Sequence, residues 1–493
     1  MRKLLSIMLS LSLVLGSVFT FAAVAGAESK FKIQEDAAIA ERIKAFNEIK
    51  ALFTATPDLA AVQAAYIKNF QADVKRIDAT IKTGDPLIDE KISFVLDNAI
   101  KGTLSAGQAK QAIDKGLQWY FYFAIRDLIN NDVRPALTKE DYAAATAAFD
   151  KVVQIYEGAI QGTVVKRDAS YGIDMVGILK GTIEQLQADL AARNANDFNV
   201  HRQVLDKTIM KTFALAVYTY ATNMAGKSAA DQPAAMTESY FFFLPIYTYL
   251  RGGSAEDANF VLNAFGSGDP KKIDPTAIKA AMQRAMIGKV SEYAANALAK
   301  LEAGDLPGAR GYAMEGNMFL SMQEVFLDKE TYAKAYASAQ LFTEAVDRSD
   351  IKAARGPLFQ MLKSMVGIDG TSLTIGSTGY TVDGTAKTAL NAPFLNKKTN
   401  RTLVPVRLIA AAIHAEIEYT GATKTVTITK DGKKTALVVG SDRITQDGKL
   451  NETLIFDQPV VIINGSSFIP LRAVAELFGN GVFYNNNEVI ILR

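Results

Sequence analysis

The spacing of apolar positions divides the chain into two textures. From residue 30 to about 366 the apolar residues recur at helical intervals. Ile39, Ile43, Phe46, Ile49 and Phe53 fall at steps of three and four, which is one face of a helix. Leu59, Val62, Tyr66, Phe70, Val74, Ile77 and Ile81 extend the same pattern over about six turns. Before them, Thr56-Pro57-Asp58 offers a capping hydroxyl, a proline suited to a first turn and an acid suited to the helix dipole. Similar punctuation recurs at Thr83-Gly84-Asp85-Pro86, Val133-Arg134-Pro135, Asp231-Gln232-Pro233, Gly266 to Pro270 and Gly304-Asp305-Leu306-Pro307. The Ala-rich stretches between these marks show no strand-like alternation. They predict packed helices, in one or two bundles, over residues 28–366.

Beyond residue 371 β-branched residues and turn signals dominate. Thr425-Val426-Thr427-Ile428-Thr429 alternates, Asp431-Gly432 turns, and Thr435 to Val439 resumes the strand pattern. Val460-Val461-Ile462-Ile463 runs into Asn464-Gly465, a second hairpin signal. Residues 367–376 read as a linker, and 377–493 as a small C-terminal domain. The fold class is therefore α plus α/β.

That C-terminal part is internally duplicated. Asn400-Arg401-Thr402-Leu403-Val404-Pro405-Val406-Arg407-Leu408 matches Gly465-Ser466-Ser467-Phe468-Ile469-Pro470-Leu471-Arg472-Ala473, with Pro405 and Pro470 65 positions apart. Each copy leads into a short helix and then a strand. The prolines suit helix starts, where a missing N–H costs nothing. Arg407 and Arg472 are expected to brace loops through carbonyl oxygens.

These phrases resemble the copper amine oxidase N-terminal-like domain, or stalk domain, of secreted Gram-positive bacterial proteins. That family repeats an Asn-Gly-Arg-Thr-hydrophobic-Val-Pro-Leu-Arg run and a helix ending near Ala-Glu-Ala-Leu-Gly-Ala. Here Asn464-Gly465, Pro470-Leu471-Arg472 and Ala475-Glu476-Leu477-Phe478-Gly479 carry the likeness most closely. The first copy lacks the glycine after Asn400, and Ser466-Ser467 replaces Arg-Thr in the second. The resemblance implies a twisted antiparallel sheet wrapped on short helices, acting as a stalk or surface-attachment module. Amine oxidation does not come with it. That chemistry needs three histidine ligands and a quinone-forming tyrosine, and this chain has only His201 and His414.

The N-terminus has the form of an export signal. Met1-Arg2-Lys3 is basic, Leu4 to Val24 is apolar, and Ala25-Gly26-Ala27 precedes Glu28 as a small-x-small cleavage site. Residues 1–27 are expected to be removed, leaving no transmembrane segment. Tyr240 to Leu250 is about half the ~20 residues a span requires, and Pro245 interrupts it, so a buried helix with a break is expected there. No Leu-Pro-x-Thr-Gly sorting signal occurs, so the protein should be released or held non-covalently at the envelope, with wall polymer or a surface protein as partner.

Composition narrows the chemistry further. With 54 basic and 52 acidic residues there is no field to favour nucleic acid. Absence of cysteine removes disulfides, thiolate metal sites and thiol nucleophiles. No Gly-x-Ser-x-Gly, Walker loop or His-Glu-x-x-His occurs. His201, near Arg202 and Asp206, reads as a surface or helix-face polar group.

One constellation suggests metal. Glu238 and Glu315 each follow an Ala-Met pair and precede an aromatic four positions on, and Glu157 after Tyr156 is a partial third copy. Carboxylates on inward helix faces can bind iron or another hard cation. Arg126-Asp127, after the aromatic run Trp119 to Phe123, adds a buried-looking pair. The texture is similar to helical extracytoplasmic domains of bacterial iron-uptake systems. Three functions follow in order: a secreted, non-enzymatic envelope-associated binding protein with no cofactor, an iron-binding protein of an uptake system, and a carboxylate-dependent hydrolase.

Overall fold

Helix capping and strand alternation produce what the two textures predict. The computed structural model describes residues 31–456 and 458–492. The expected leader, 1–27, lies outside the described residues. The chain divides into two units: residues up to Arg251 with Ala255–Met282, and Gly252–Ser254 with Gln283 onward.

The first unit is helical: α1 (Ala37–Ala51), α2 (Leu59–Tyr66), α3 (Ala72–Asp78), α4 (Ile88–Ile100), α5 (Ala106–Leu128), α6 (Arg134–Thr138), α7 (Tyr142–Ile155), α8 (Gln161–Tyr171), α9 (Met175–Ala191), α10 (Ala195–Asn223), α11 (Gln232–Gly253) and α12 (Ala255–Gly266). Aspartates cap repeatedly. Asp58, not Thr56, caps α2 by accepting from the Ala61 N–H at 3.0 Å, so Pro57 lies outside the helix. The predicted stripe Val62, Tyr66, Phe70, Val74 and Ile77 is buried to 1% exposure or less.

Two expected interruptions are absent. Ile129–Val133 forms a π turn that joins α5 to α6, so Val133-Arg134-Pro135 does not break the chain. Pro135 falls in the first turn of α6, where its missing N–H is least costly. Helix α11 also runs unbroken through Pro245. Phe241, Phe242, Phe243, Leu244 and Ile246 around it are all at most 3% exposed. At roughly 2 kcal/mol or more each, their burial outweighs the ~3 kcal/mol a proline costs a helix interior.

Helix α13 (Pro275–Glu302) spans the point of division. The second unit continues with α14 (Leu306–Met322), α15 (Lys329–Asp347) and α16 (Ile351–Lys363), then β1 (Gly370–Thr374). The expected linker 367–376 thus contains a strand. Thr371 and Leu373 are buried, and β1 pairs on both sides.

Among the described residues, fourteen strands and two short helices follow a doubled plan. The first copy is β1, β2 (Gly379–Val382), β3 (Thr385–Thr388), β4 (Phe394–Asn396), β5 (Arg401–Pro405), α17 (Val406–Ala412), β6 (Glu416–Thr420) and β7 (Thr425–Lys430). The second is β8 (Lys433–Val438), β9 (Arg443–Gln446), β10 (Lys449–Ile455), β11 (Val461–Ile463), β12 (Ser466–Pro470), α18 (Leu471–Leu477), β13 (Gly481–Asn485) and β14 (Glu488–Leu492). The copies exchange strands. One sheet runs β13-β14-β1-β2-β3 and another β10-β9-β8-β7-β6, so each copy's last two strands join the other copy's first three. A third sheet, β11-β12-β5-β4, joins the copies through Ile469 opposite Val404. Every pairing is antiparallel, and one core holds Val404, Ile409, Ile428, Ile469, Val474 and Ile491. Helices α17 and α18 are the short helices expected after the two proline phrases.

Candidate functional site

Each of the three candidate glutamates has its own local setting. Glu157 lies in the π turn Tyr156–Ile160, and its Oε1 accepts from the Phe31 N–H at 3.1 Å. Beside it is a cavity of about 520 Å³ lined by Ile33, Ile43, Glu35, Gln161 and Lys180 among others. Glu238 on α11 pairs with the buried Lys115 ammonium at 3.4 Å. Burial raises the Tyr220 hydroxyl pKa above its usual range, and the charge of Glu238 adds to this. Glu315 is half-buried on α14, in the other unit. Among the described residues the three carboxylates form no metal-holding group.

Other charged residues of the first unit also find local partners. Arg126 and Asp127 do not pair with each other. Asp127 accepts from Arg76 at 2.7 Å. Arg126 donates to both oxygens of Asp206, at 3.1 and 3.2 Å, and also to Tyr249. Tyr122 and Lys207 complete the shell around Asp206, donating at 2.8 and 2.6 Å. Burial alone would raise the Asp206 pKa, but the Arg126 and Lys207 cations overcome it and hold the carboxyl far below the usual range. His201 is the helix-face group rather than a surface one. Its Nδ1 lies 2.6 Å from Asp189 Oδ2, and both side chains are largely covered. The Asp206 carboxylate thus accepts from Tyr122, Arg126 and Lys207 together.

In the doubled domain the proline phrases do positional work. Pro405 and Pro470 end strands β5 and β12 at φ −56° and −65°, and the helices begin on the next residue. Arg407 is exposed. Arg472 sits 3.8 Å from Glu476 and places its guanidinium 5.0 Å from the Tyr484 ring centroid. Stacking, rather than the expected carbonyl bracing, holds it, because α18 packs against β13 and brings Tyr484 beneath it.

One group of potential ligands escaped the sequence reading. Asp369, Asp383 and His414 each direct one ligand-type atom into a space where all three lie within 4.8 Å of one another. Asp369 precedes β1 and is 1% exposed. Asp383 opens the β2–β3 turn, and its Oδ1 accepts from the Gly370 N–H at 2.9 Å. Its Oδ2 is 3.2 Å from His414 Nε2.

A two-copy module of hairpins and proline-started helices is the class this geometry defines. Residues 381–492 match the copper amine oxidase N-terminal domain family. The matched module is the non-catalytic, N-terminal part of such enzymes, and it covers the region expected from the repeated phrases. No curated protein matches the chain, and no solved structure does. No helix among the described residues is long and apolar enough to cross a membrane.

Proposed function

We propose that this is a secreted, non-enzymatic binding protein associated with the cell envelope, its doubled domain serving as stalk or attachment module. The observation that carries the reading is the match of residues 381–492 to a non-catalytic domain. Two further facts support it. The chain's two histidines cannot build a three-histidine copper site. Asp206, Asp127, Asp189 and Glu238, the buried or half-buried acids closest to the candidate motifs, are spent on cationic or imidazole partners.

The helical part would carry the ligand. The cavity at Glu157 joins apolar walls, Ile33 and Ile43, to Glu35 and Lys180, a lining that suits a small amphiphile. Iron binding by Glu157, Glu238 and Glu315 is not proposed, since Glu157 accepts from the Phe31 N–H and Glu238 pairs with Lys115.

Two measurements test the reading. The secreted form should begin at Glu28 on N-terminal sequencing of culture medium and envelope fractions. Purified full-length protein should sediment saturably with isolated Gram-positive cell walls. Retention of an uncleaved chain inside the cell, with no sedimentation, would overturn it.

A further inference from the structure

The two copies of the C-terminal domain can be compared position by position, and the comparison isolates the Asp369–Asp383–His414 group. Gly370 N–H donates to Asp383 Oδ1 at 2.9 Å, and Lys434 N–H donates to Asp447 Oδ1 at 2.8 Å. The return bonds match as well, Asp383 N–H to Gly370 O and Asp447 N–H to Lys434 O, both at 2.8 Å. Gly370 therefore corresponds to Lys434, Asp383 to Asp447, and Asp369 to Lys433. Pro405 corresponds to Pro470, which makes His414 the counterpart of Gly479. Both end their helices with positive φ.

The shared aspartate is thus scaffold. One oxygen of Asp383, like one of Asp447, ties the turn to the neighbouring strand. The other two positions differ between the copies, and both differ in the same chemical direction. Where the second copy has a lysine and a glycine, neither able to ligate beside a carboxylate at neutral pH, the first has a carboxylate and an imidazole. A bulky side chain is disfavoured at a left-handed helix end, where glycine is the unstrained choice. His414 nonetheless stands there, with its Nε2 beside Asp383 Oδ2.

We propose that Asp369, Asp383 and His414 form a binding site for a borderline divalent cation of the zinc class, unrelated to the copper chemistry of the amine oxidases. The donor set fits. Zinc accepts imidazole nitrogen and carboxylate oxygen at about 2.0–2.2 Å, which places tetrahedral ligand atoms about 3.3 Å apart. The 3.2 Å between His414 Nε2 and Asp383 Oδ2 meets that spacing without movement. The third donor, from Asp369, lies within 4.8 Å of the other two. Without thiolates the site does not select a soft ion, and with an imidazole it does not favour magnesium or calcium. The side chains of His414 and Asp383 are 36% and 34% exposed, so an ion has a path in from solvent while Asp369 closes the buried side. Three protein ligands leave a further position for water or for a donor atom of a partner. This inference goes beyond the envelope-binding role and does not depend on it.

The test is calorimetric titration of the metal-free full chain with zinc, with calcium and magnesium as controls. The expected result is one zinc per chain. His414→Gly installs the second copy's own residue and relieves the backbone, so it should remove binding without lowering stability. Asp383→Asn keeps an oxygen for the Gly370 N–H and should weaken binding by at least the 10–100-fold that loss of an outer-shell partner alone costs. Zinc binding that survives both substitutions, absence of binding in excess zinc, or calcium and magnesium binding as tight as zinc would each overturn the proposal. If His414→Gly instead lowers the melting temperature of the metal-free protein and zinc does not bind the parent, His414 is structural and not a ligand.

Discussion

His414 and Gly479 close two equivalent helices in the same left-handed backbone conformation, at φ 54° and 79°. The residues pay unequally for that shape. A side chain in the left-handed region costs roughly 1 kcal/mol relative to glycine. Gly479→Ala is therefore expected to destabilise by about 1 kcal/mol. Metal-free His414→Gly should be neutral or gain up to about 1 kcal/mol, since the half-exposed pair with Asp383 offsets little. Chemical denaturation of the two variants in chelator checks both signs. A large loss in His414→Gly would show that the imidazole holds the domain together.

The Asp206 cluster sets the second expectation. Arg126 and Lys207 both direct their charge at one carboxylate inside the helical unit. Asp206→Ala removes the carboxylate that both cations face, and about 3–5 kcal/mol should be lost. The pH dependence follows from the lowered pKa. A depressed carboxylate contributes stability that is present above its unfolded value of about 3.9, and that stability fades as pH falls toward the folded value. The difference between parent and Asp206→Ala should thus be constant above pH ~5 and shrink only in acid. Urea melts at a series of pH values measure it.

The helices and hairpins were legible because their signals are local. The stripe from Val62 to Ile77 and the alternation around Thr425–Thr429 each reflect neighbours within a turn or a strand. The π turn at Ile129–Val133 was not legible, since one extra residue in a turn leaves proline punctuation unchanged. The local partners of the glutamates were not legible for a different reason. Spacing shows that Glu238 shares a pattern with Glu315, but not that Lys115, on another helix, will claim it. The ligand group depends on tertiary packing within the first copy. Asp369, Asp383 and His414 meet only because β1 pairs β2 and α17 returns to them. A signal did exist: aligning the two copies beyond the proline phrase sets His414 against Gly479.

Asp168 should show the opposite pH sense from Asp206. Burial, countered only in part by the Met175 and Val176 N–H donors, pushes its carboxyl up to about 6. A raised carboxyl binds its proton more tightly in the folded state. Its contribution is therefore greatest below the unfolded value of about 3.9 and is lost as pH rises toward about 6. Asp168→Asn stays neutral throughout and retains one acceptor. Stability of the parent relative to this variant should fall between pH 4 and 6 and level off above. A flat difference across that range would contradict the raised value.

Gly370 carries the last expectation, because it lies where β1 of the first copy pairs with β14 of the second. A Cβ built there would stand 2.6 Å from Leu492 Cδ2 and 2.8 Å from the Ile491 carbonyl oxygen. The leucine tip can turn away, but the carbonyl belongs to β14, whose register with β1 fixes it opposite. Overpacking of this kind costs about 1–3 kcal/mol. Its counterpart Lys434 is exposed and already carries a side chain, so Lys434→Ala should change stability by less than about 0.5 kcal/mol. Gly370→Ala also displaces the N–H that holds Asp383 Oδ1, so zinc affinity should fall along with stability. Denaturation and zinc titration of Gly370→Ala and Lys434→Ala, run together, separate the two effects. Unchanged stability in Gly370→Ala would mean that β14 shifts freely, and that the turn carrying Asp383 is not held as tightly as its paired hydrogen bonds imply.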